Sequence, residues 1–118
     1  MSEVKQIYIE VAGDEHLSSQ FRDSLAADIR SRGEVTIRND LDGSDALLKV
    51  SVRGDNGNST HAEPRVIVIA RLANVTGDVI WPELTRGSGA KYIGTVAETS
   101  ASIATDLGAR IQKARRSR

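Results

Sequence analysis

Alternating residues in the first segment of the chain predict a β-strand. Every second position is apolar, and a period of two is typical of a strand with one buried face. The apolar positions are Ile7, Ile9 and Val11, and the polar positions between them are Gln6, Tyr8 and Glu10. Tyr8 therefore lies on the polar side, where we expect an exposed aromatic ring that is available to a partner.

A helical period replaces the alternation in the segment that follows. Apolar side chains recur every four residues and form one stripe of an amphipathic helix. The stripe consists of Leu17, Phe21, Leu25 and Ile29. We expect Ser18 or Ser19 to cap the start of this helix, and Gly33 to occupy the left-handed position at its end.

The middle of the chain predicts four further strands separated by turns. Their sequences are "EVTIR", "ALLKVSVRG", "RVIVIARLA" and "VIW". The third is nearly all apolar, which indicates a central strand with one or both faces covered. Turn-forming residues predict a flexible loop over residues 54–64. Pro82 ends the last strand, because proline fits a strand end or an edge but not a strand interior.

The last segment predicts a second helix and completes the fold. Its stripe consists of Val96, Ser100, Ile103, Leu107 and Ile111. The order is therefore β-α-β-β-β-β-α, an α+β sandwich in which two helices pack on a mixed sheet of about five strands. We expect the first β-α-β unit to be a parallel crossover, and the later strands, with their short connections, to be antiparallel.

Composition limits the function classes more than it selects one. The 118 residues predict a single domain over 1–118. Lys+Arg and Asp+Glu number 16 each, so no overall field draws the chain to nucleic acid or to an anionic membrane. The basic tail, residues 113–118, suits the negative end of a helix dipole and a frayed terminus. The absence of cysteine excludes thiol catalysis and disulfides.

The glycine-rich stretch "GSGAKYIG" is the first candidate for chemistry. The glycine spacing of a phosphate-binding loop is present, but Thr95 stands where such a loop needs its lysine. We interpret the stretch as a flexible lead into the second helix. A weak anion site at Gly87, Gly89 and Lys91 stays open, and with Gly94 these residues define an alternative function as a phosphate- or nucleotide-binding domain.

The remaining candidates are contact residues. No catalytic, metal-binding or cofactor-binding pattern stands out, so we expect a protein that is not an enzyme and carries no cofactor. Trp81 at a strand end, together with Tyr8 and Tyr92, is predicted to bind a partner, although Trp81 also fits a role in the core. A second alternative is a cytosolic nucleic-acid accessory that works through Arg110, Lys113, Arg115 and Arg116.

The back half of the chain resembles small bacterial envelope lipoprotein domains. The resemblance covers roughly residues 45–112: a strand beginning "DALL" at Asp45, a hairpin whose second half reads "GDVIW", and a terminal helix with spaced alanines. This group includes the curli-secretion lipoprotein, the penicillin-binding-protein activator lipoprotein and the TolB amino-terminal domain. Unlike them, the chain shows neither an export signal nor a lipid-bearing cysteine.

The resemblance implies a non-enzymatic envelope role. It implies assembly with copies of the same chain or docking onto a protein partner, with no nucleic acid involved, and unpaired strand edges are the natural contact points. We expect a periplasmic location, with the outer membrane as an anchoring surface for a precursor whose export signal has been removed. A cytoplasmic location is the alternative.

Overall fold

The computed structural model describes residues 4–54, 65–82 and 89–116, which form six strands and two helices. The α+β class and the two packed helices are confirmed. In chain order the elements are β1 (Gln6–Gly13), α1 (Glu15–Arg32), β2 (Thr36–Arg38), β3 (Ala46–Gly54), β4 (Arg65–Asn74), β5 (Val79–Trp81), β6 (Ala90–Thr95) and α2 (Val96–Arg116). Most of the predicted 54–64 loop lies outside the described residues.

The strands form one mixed sheet in the order β2-β1-β3-β4, with β5 and β6 both on the remaining side of β4. As expected, β2 is parallel to β1, and β3, β4 and β5 are antiparallel neighbours. β3 is also parallel to β1, on the side away from β2. The chain therefore crosses β1 between β2 and β3, a feature that the pattern of residues did not indicate.

The described part of the glycine-rich segment forms a strand where we expected a flexible lead into a helix. Residues 90–95 are β6, antiparallel to residues 65–70 of β4. The sheet therefore has six strands in the described residues, against about five expected. Pairing with β4 holds the backbone extended here, and α2 begins immediately afterwards, at Val96.

Both helices cover the same face of the sheet. The register places the buried side chains of β1, β3 and β4 on this side, where they form one core with the inner stripes of α1 and α2. The fully buried members with the largest side chains are Phe21, Ile7, Ile9, Leu25, Leu48, Leu72, Ile103, Leu107, Ile111, Val52, Val66 and Val68. Both predicted helical stripes therefore face the sheet.

The start of α1 differs from the prediction. The N-cap is Asp14, not Ser18 or Ser19, and its Oδ1 accepts the backbone N–H groups of His16 and Leu17 at 3.1 Å. A carboxylate satisfies these free donors and also suits the positive end of the helix dipole. The predicted stop is confirmed, because Gly33 adopts a φ of 78°.

A reciprocal pair of hydrogen bonds fixes the start of α2. The N–H of Thr95 donates to Glu98 Oε1 at 2.9 Å, and the N–H of Glu98 donates to Thr95 Oγ1 at 3.1 Å. Such a capping box ties the end of β6 to the first turn of the helix. Because its carboxylate accepts the Thr95 N–H, the pKa of Glu98 is lowered.

A polar contact joins the two helices within their apolar interface. The hydroxyl of Ser100, which is fully buried in the predicted stripe, lies 2.7 Å from Asp28 Oδ2 and 2.7 Å from Ser24 Oγ. Buried hydroxyls cost stability unless they are hydrogen-bonded. The Asp28 carboxylate supplies that bond and fixes the register of α1 against α2. Neither of these helices has the length and apolar character that crossing a membrane requires.

Two contacts connect the ends of the chain to the sheet. Asp45, which opens the "DALL" segment, accepts the N–H groups of Lys5 and Gln6 through Oδ2 at 2.9 and 2.8 Å. At the other end, the guanidinium of Arg115 donates to the carbonyls of Val4 and Glu34 at 3.0 and 2.9 Å. α2 thus remains helical through Arg116, and Arg115 is part of the folded structure.

Candidate protein-binding face

The face of the sheet opposite the helices is the candidate functional surface, and we call it the open face. No element in the described part of the chain packs on it. Its side chains on β1, β3, β4 and β6 are Gln6, Tyr8, Glu10, Ala12, Leu47, Lys49, Ser51, Arg53, Arg65, Ile67, Ile69, Arg71, Ala73, Lys91, Ile93 and Thr95. Most of them are exposed or half-buried.

The open face is cationic although the chain as a whole is neutral. The cations are Lys49, Arg53, Arg65, Arg71 and Lys91, and the acid on the same four strands is Glu10. Lys49 and Arg71 lie directly opposite each other on β3 and β4. Like charges in directly paired positions destabilise a sheet, so the fold retains this pair at a cost.

An apolar groove opens at one end of the open face. It lies between the loop of residues 39–45 and the turn of residues 74–78, and it has a volume of about 540 Å³. Of the four large hydrophobic side chains that are exposed within the described ranges, three line it: Leu41 at 50%, Val75 at 71% and Val79 at 44%. Leu47 and Ala73 form its floor, and Lys49 and Arg71 lie at its inner end.

Side-chain hydrogen bonds hold the turn that forms one side of the groove. Asn74 Oδ1 accepts the N–H groups of Thr76 and Asp78 at 3.1 and 3.0 Å, and also the Thr76 hydroxyl at 2.7 Å. Asparagine side chains of this kind stabilise a tight turn. Val75 is therefore exposed on an ordered turn rather than on a loose loop.

The loop on the other side of the groove is held in a similar way. Ser44, which is buried, donates its hydroxyl to the Asp40 carbonyl at 2.9 Å and its N–H to the Leu41 carbonyl at 3.1 Å. The guanidinium of Arg38 approaches Asp40 at 3.4 Å. Leu41 thus faces the groove from a position that the backbone fixes.

The structure separates the three aromatic residues that we predicted as partner contacts. Tyr8 lies on the open face, half-buried and paired in register with Leu47, a residue of the groove floor. Trp81 pairs with Leu72 on the helix-covered side and is only 6% exposed. The sequence left two roles open for Trp81, partner contact and core packing, and its burial favours core packing.

Tyr92 also points toward the helices. It pairs with Val68 on the covered side, and its hydroxyl donates to Asp106 Oδ2 at 2.8 Å across the gap between β6 and α2. Burial raises the pKa of the Tyr92 phenol well above its ordinary value, and the hydrogen bond and negative charge of Asp106 raise it further. The neutral phenol is therefore the form that the fold stabilises.

This pKa shift predicts how stability depends on alkaline pH. A raised folded-state pKa stabilises the fold below the unfolded value of about 10, and this stability is lost as the pH rises through the folded value. In Tyr8→Phe, Tyr92 is the remaining tyrosine, since the chain has two. We expect its phenolate absorbance near 295 nm to appear well above pH 10, together with unfolding.

Asp106→Asn provides the matched control for that titration. Removing the negative charge takes away one cause of the raised pKa of Tyr92 and leaves burial and a hydrogen-bond acceptor, so the absorbance should appear at lower pH than with Asp106 present. A Tyr92 that ionises near pH 10 in the folded Tyr8→Phe protein would contradict the hydrogen-bonded geometry.

The described residues of the predicted anion site, Gly89 and Lys91, do not form a phosphate-binding loop. Gly87 lies outside the described residues. Gly89 precedes β6, with the Ala70 carbonyl 2.5 Å from the position that a Cβ atom would occupy, and Lys91 lies exposed on β6 itself. The amides of β6 that pair with β4 cannot also surround a phosphate, so the anion site stays a prediction without support from the strand geometry.

The basic residues of the nucleic-acid alternative are only partly available. Arg115 donates to two carbonyls of the fold, so its charge is committed to holding α2 in place. In the ranges that the structure describes, no three acidic or histidine side chains gather where they could hold a metal ion.

The groove residues Leu41, Val75 and Val79 did not stand out in the sequence. Leu41 lies within the polar stretch "NDLDGSD", and Val75 within the turn "NVTGD". A large apolar residue inside a short polar turn has no position in a strand or helix stripe. That mismatch is the signal that would have identified both residues.

The chain was compared with known proteins by sequence and by structure. No protein-family model matches it, and no curated protein matches it by sequence. Among solved structures, a minor lipoprotein from Acinetobacter baumannii is similar with a TM-score of 0.59 and 16% identity, over 91% of this chain and 94% of that one.

Two further structures share the fold. A PelC dodecamer from Paraburkholderia phytofirmans has a TM-score of 0.53 and 17% identity, over 94% of this chain and 87% of that one. A Xanthomonas campestris protein of the DUF330 family has a TM-score of 0.55 and 10% identity, over 92% and 81%. The resemblance to small bacterial envelope lipoprotein domains is thus confirmed at the level of the fold.

Proposed function

We propose that this protein is a non-enzymatic accessory domain of the bacterial cell envelope that assembles with copies of itself through the apolar groove. The observation that carries the proposal is the clustering of Leu41, Val75 and Val79 around one groove on the open face. Contiguous exposed apolar side chains on an ordered surface mark contact sites, whereas singly scattered ones do not.

The fold neighbours support the cellular setting and the mode of action. One of them is named a lipoprotein, and the PelC structure is described as a dodecamer. Non-enzymatic proteins act through the surfaces that they present, and here the ordered apolar surface is the groove. A second copy of the chain is therefore the occupant we propose.

The charge on the open face selects the geometry of assembly. A two-fold contact between two open faces would set one cationic surface against another. Bringing like charges together in an interface costs several kcal/mol of binding free energy. We therefore propose a head-to-tail contact, which produces a closed ring if the rotation between copies closes.

The test is the solution mass by light scattering across a concentration series. We expect a defined oligomer for the natural sequence and a monomer for the double variant Leu41→Ser, Val75→Ser. Both side chains are exposed, so folding stability should change by less than about 1 kcal/mol. Gln20→Ser, which alters an exposed polar residue of α1 on the opposite side of the sheet, should leave the mass unchanged.

Two results would contradict the proposal. A monomer at every concentration would exclude self-assembly and make the groove a docking site for a different protein. An oligomer that persists in the double variant would move the contact away from the groove, and the strand edges would then be the next surfaces to change.

A further inference from the structure

A second groove lies at the β2 edge of the sheet, on the helix-covered side, between α1 and β2. Its volume is about 320 Å³, and it does not share a residue with the apolar groove of the open face. Ile9, Ala26 and Ile37 supply its apolar lining, and Arg22, Asp23, Arg30 and Asn39 its polar rim. Because Ala26 is small, α1 leaves space here above the edge of the sheet.

The strand that borders this groove has an unpaired edge. β2 is the outermost strand, and its pairing is with β1. The N–H of Thr36 donates to the Lys5 carbonyl at 2.8 Å, toward β1. Since successive backbone groups of a strand point to opposite sides, the N–H and C=O of Ile37 point outward. An exposed edge of this kind is a template for another strand.

Two cations lie above that edge without partners. In the ranges that the structure describes, neither Arg22 nor Arg30 makes a hydrogen bond or ion pair, and both are exposed on α1. The groove contains a single acid, Asp23. Arg38, on β2 itself, is directed to Asp40 instead. The groove therefore presents a positive charge excess beside unused backbone hydrogen-bonding groups.

We propose that this groove binds an extended acidic segment of another protein, which adds to the sheet as a strand beside β2. The backbone of the segment would pair with the outward groups of Ile37, as in strand addition to other sheet edges. An apolar side chain of the segment would contact Ala26 and Ile37. Acidic side chains on either side of it would reach Arg22 and Arg30.

The spacing of the two arginines specifies the sequence of that segment. Arg22 and Arg30 are eight residues apart on α1, which is about 12 Å along a helix axis. In a β-α-β unit the helix runs alongside its strands, and four residues of a strand span about 13 Å. The segment thus has acids at positions i and i+4 and an apolar residue at i+2, all on the same side of the strand.

The chemistry of the other edge argues against a second copy as the occupant. The edge strand there is β6, which carries Lys91, with Arg65 close by on β4. β6 has the sequence AKYIGT and contains no acidic residue, so joining it to β2 of another copy would give Arg22 and Arg30 no acidic partner. An acidic segment, in contrast, is complementary in charge to both arginines.

The experiment uses a fluorescein-labelled peptide, TETVTET, and measures its binding to the full chain by fluorescence polarisation. We expect saturable binding that weakens as salt is added, and at least tenfold weaker binding to Arg22→Gln, Arg30→Gln. The matched control is Arg53→Gln, which removes an exposed cation of β3 and should leave the affinity within twofold. A peptide with both glutamates changed to glutamine should also bind at least tenfold more weakly.

Peptide variants test the strand-addition geometry itself. N-methylation of the backbone at the central valine should abolish binding, because it blocks a hydrogen bond to the edge. Moving the second glutamate to i+3 should weaken binding at least fivefold, because its side chain then points to the other side of the strand. Four results would overturn the proposal. The first is no binding, and the second is binding that tolerates both peptide changes. The others are binding that survives loss of the two arginines, and displacement of the peptide by inorganic phosphate at the same concentration as the peptide.

Discussion

Phe21→Ala is expected to lower the free energy of unfolding by about 3–5 kcal/mol, the largest effect of any single truncation in this protein. Phe21 has the largest fully buried side chain of the described residues, and it lies in α1 at the centre of the core. Truncating it removes the apolar contacts of a whole ring and leaves a cavity that the sheet cannot close. The total free energy of unfolding of a natural domain is about 5–15 kcal/mol.

Urea denaturation followed by tryptophan fluorescence measures this loss. Trp81 is the single tryptophan of the chain and is 6% exposed, so its emission reports on the core. Gln20→Ala changes an exposed residue next to Phe21 and should shift stability by less than about 0.5 kcal/mol. A loss of less than about 1 kcal/mol in Phe21→Ala would mean that α1 does not pack as the structure shows.

Local patterns predicted the elements of this fold well because each has one buried side. The alternation of Leu48, Val50 and Val52 identifies β3, and the spacing of Phe21, Leu25 and Ile29 identifies α1. In both cases the period of the apolar residues matches the period of the backbone, so the sequence directly indicates which side chains are buried. The order of strands is different, because no local period records that β3 lies beside β1.

β6 was missed because its pattern is inverted. Its inward positions hold Ala90, Tyr92 and Gly94, while the apolar Ile93 points to the open face. Gly94 is small because Glu98 and Thr99 of α2 lie directly above it, 3.1–3.6 Å from where a Cβ would be. Because the helix lies so close, the inward position at Gly94 has no room for a large apolar side chain, the feature by which a strand is usually recognised.

The candidate site could not be predicted because it depends on long-range order. Lys49 and Arg71 are unremarkable in separate segments, and only the antiparallel pairing of β3 with β4 sets them opposite each other. Likewise, Leu41 and Val75 face one another only because the chain crosses β1 and brings two distant turns to the same end of the sheet. The net charge of the chain does not reveal that cations are concentrated on the open face, because acidic residues elsewhere balance them.

Gly13→Ala should produce the largest loss of stability among the glycines, about 2–4 kcal/mol, and disturb the junction between β1 and α1. Gly13 has a φ of 131°, a conformation that L-residues adopt only with strain, and a Cβ there would collide with the Val52 carbonyl of the paired β3. Because the obstacle is backbone within a sheet, it cannot move aside. Asp14, the N-cap of α1, follows directly and would be displaced with it.

Gly108→Ala is the matched control, since its Cβ also meets close neighbours. These are the side-chain ends of Arg32 and Glu34, at 2.5 and 2.6 Å, rather than backbone. The Glu34 side chain is only 9% exposed and also accepts a hydrogen bond from Gln112, so disturbing its contacts costs about 1.5–3 kcal/mol, whereas alanine within a helix contributes about 1 kcal/mol over glycine. The net loss of stability should therefore be about 0.5–2 kcal/mol, smaller than in Gly13→Ala. Equal losses in Gly13→Ala and Gly108→Ala would show that backbone strain and the close approach of β1 to β3 are not what constrains Gly13.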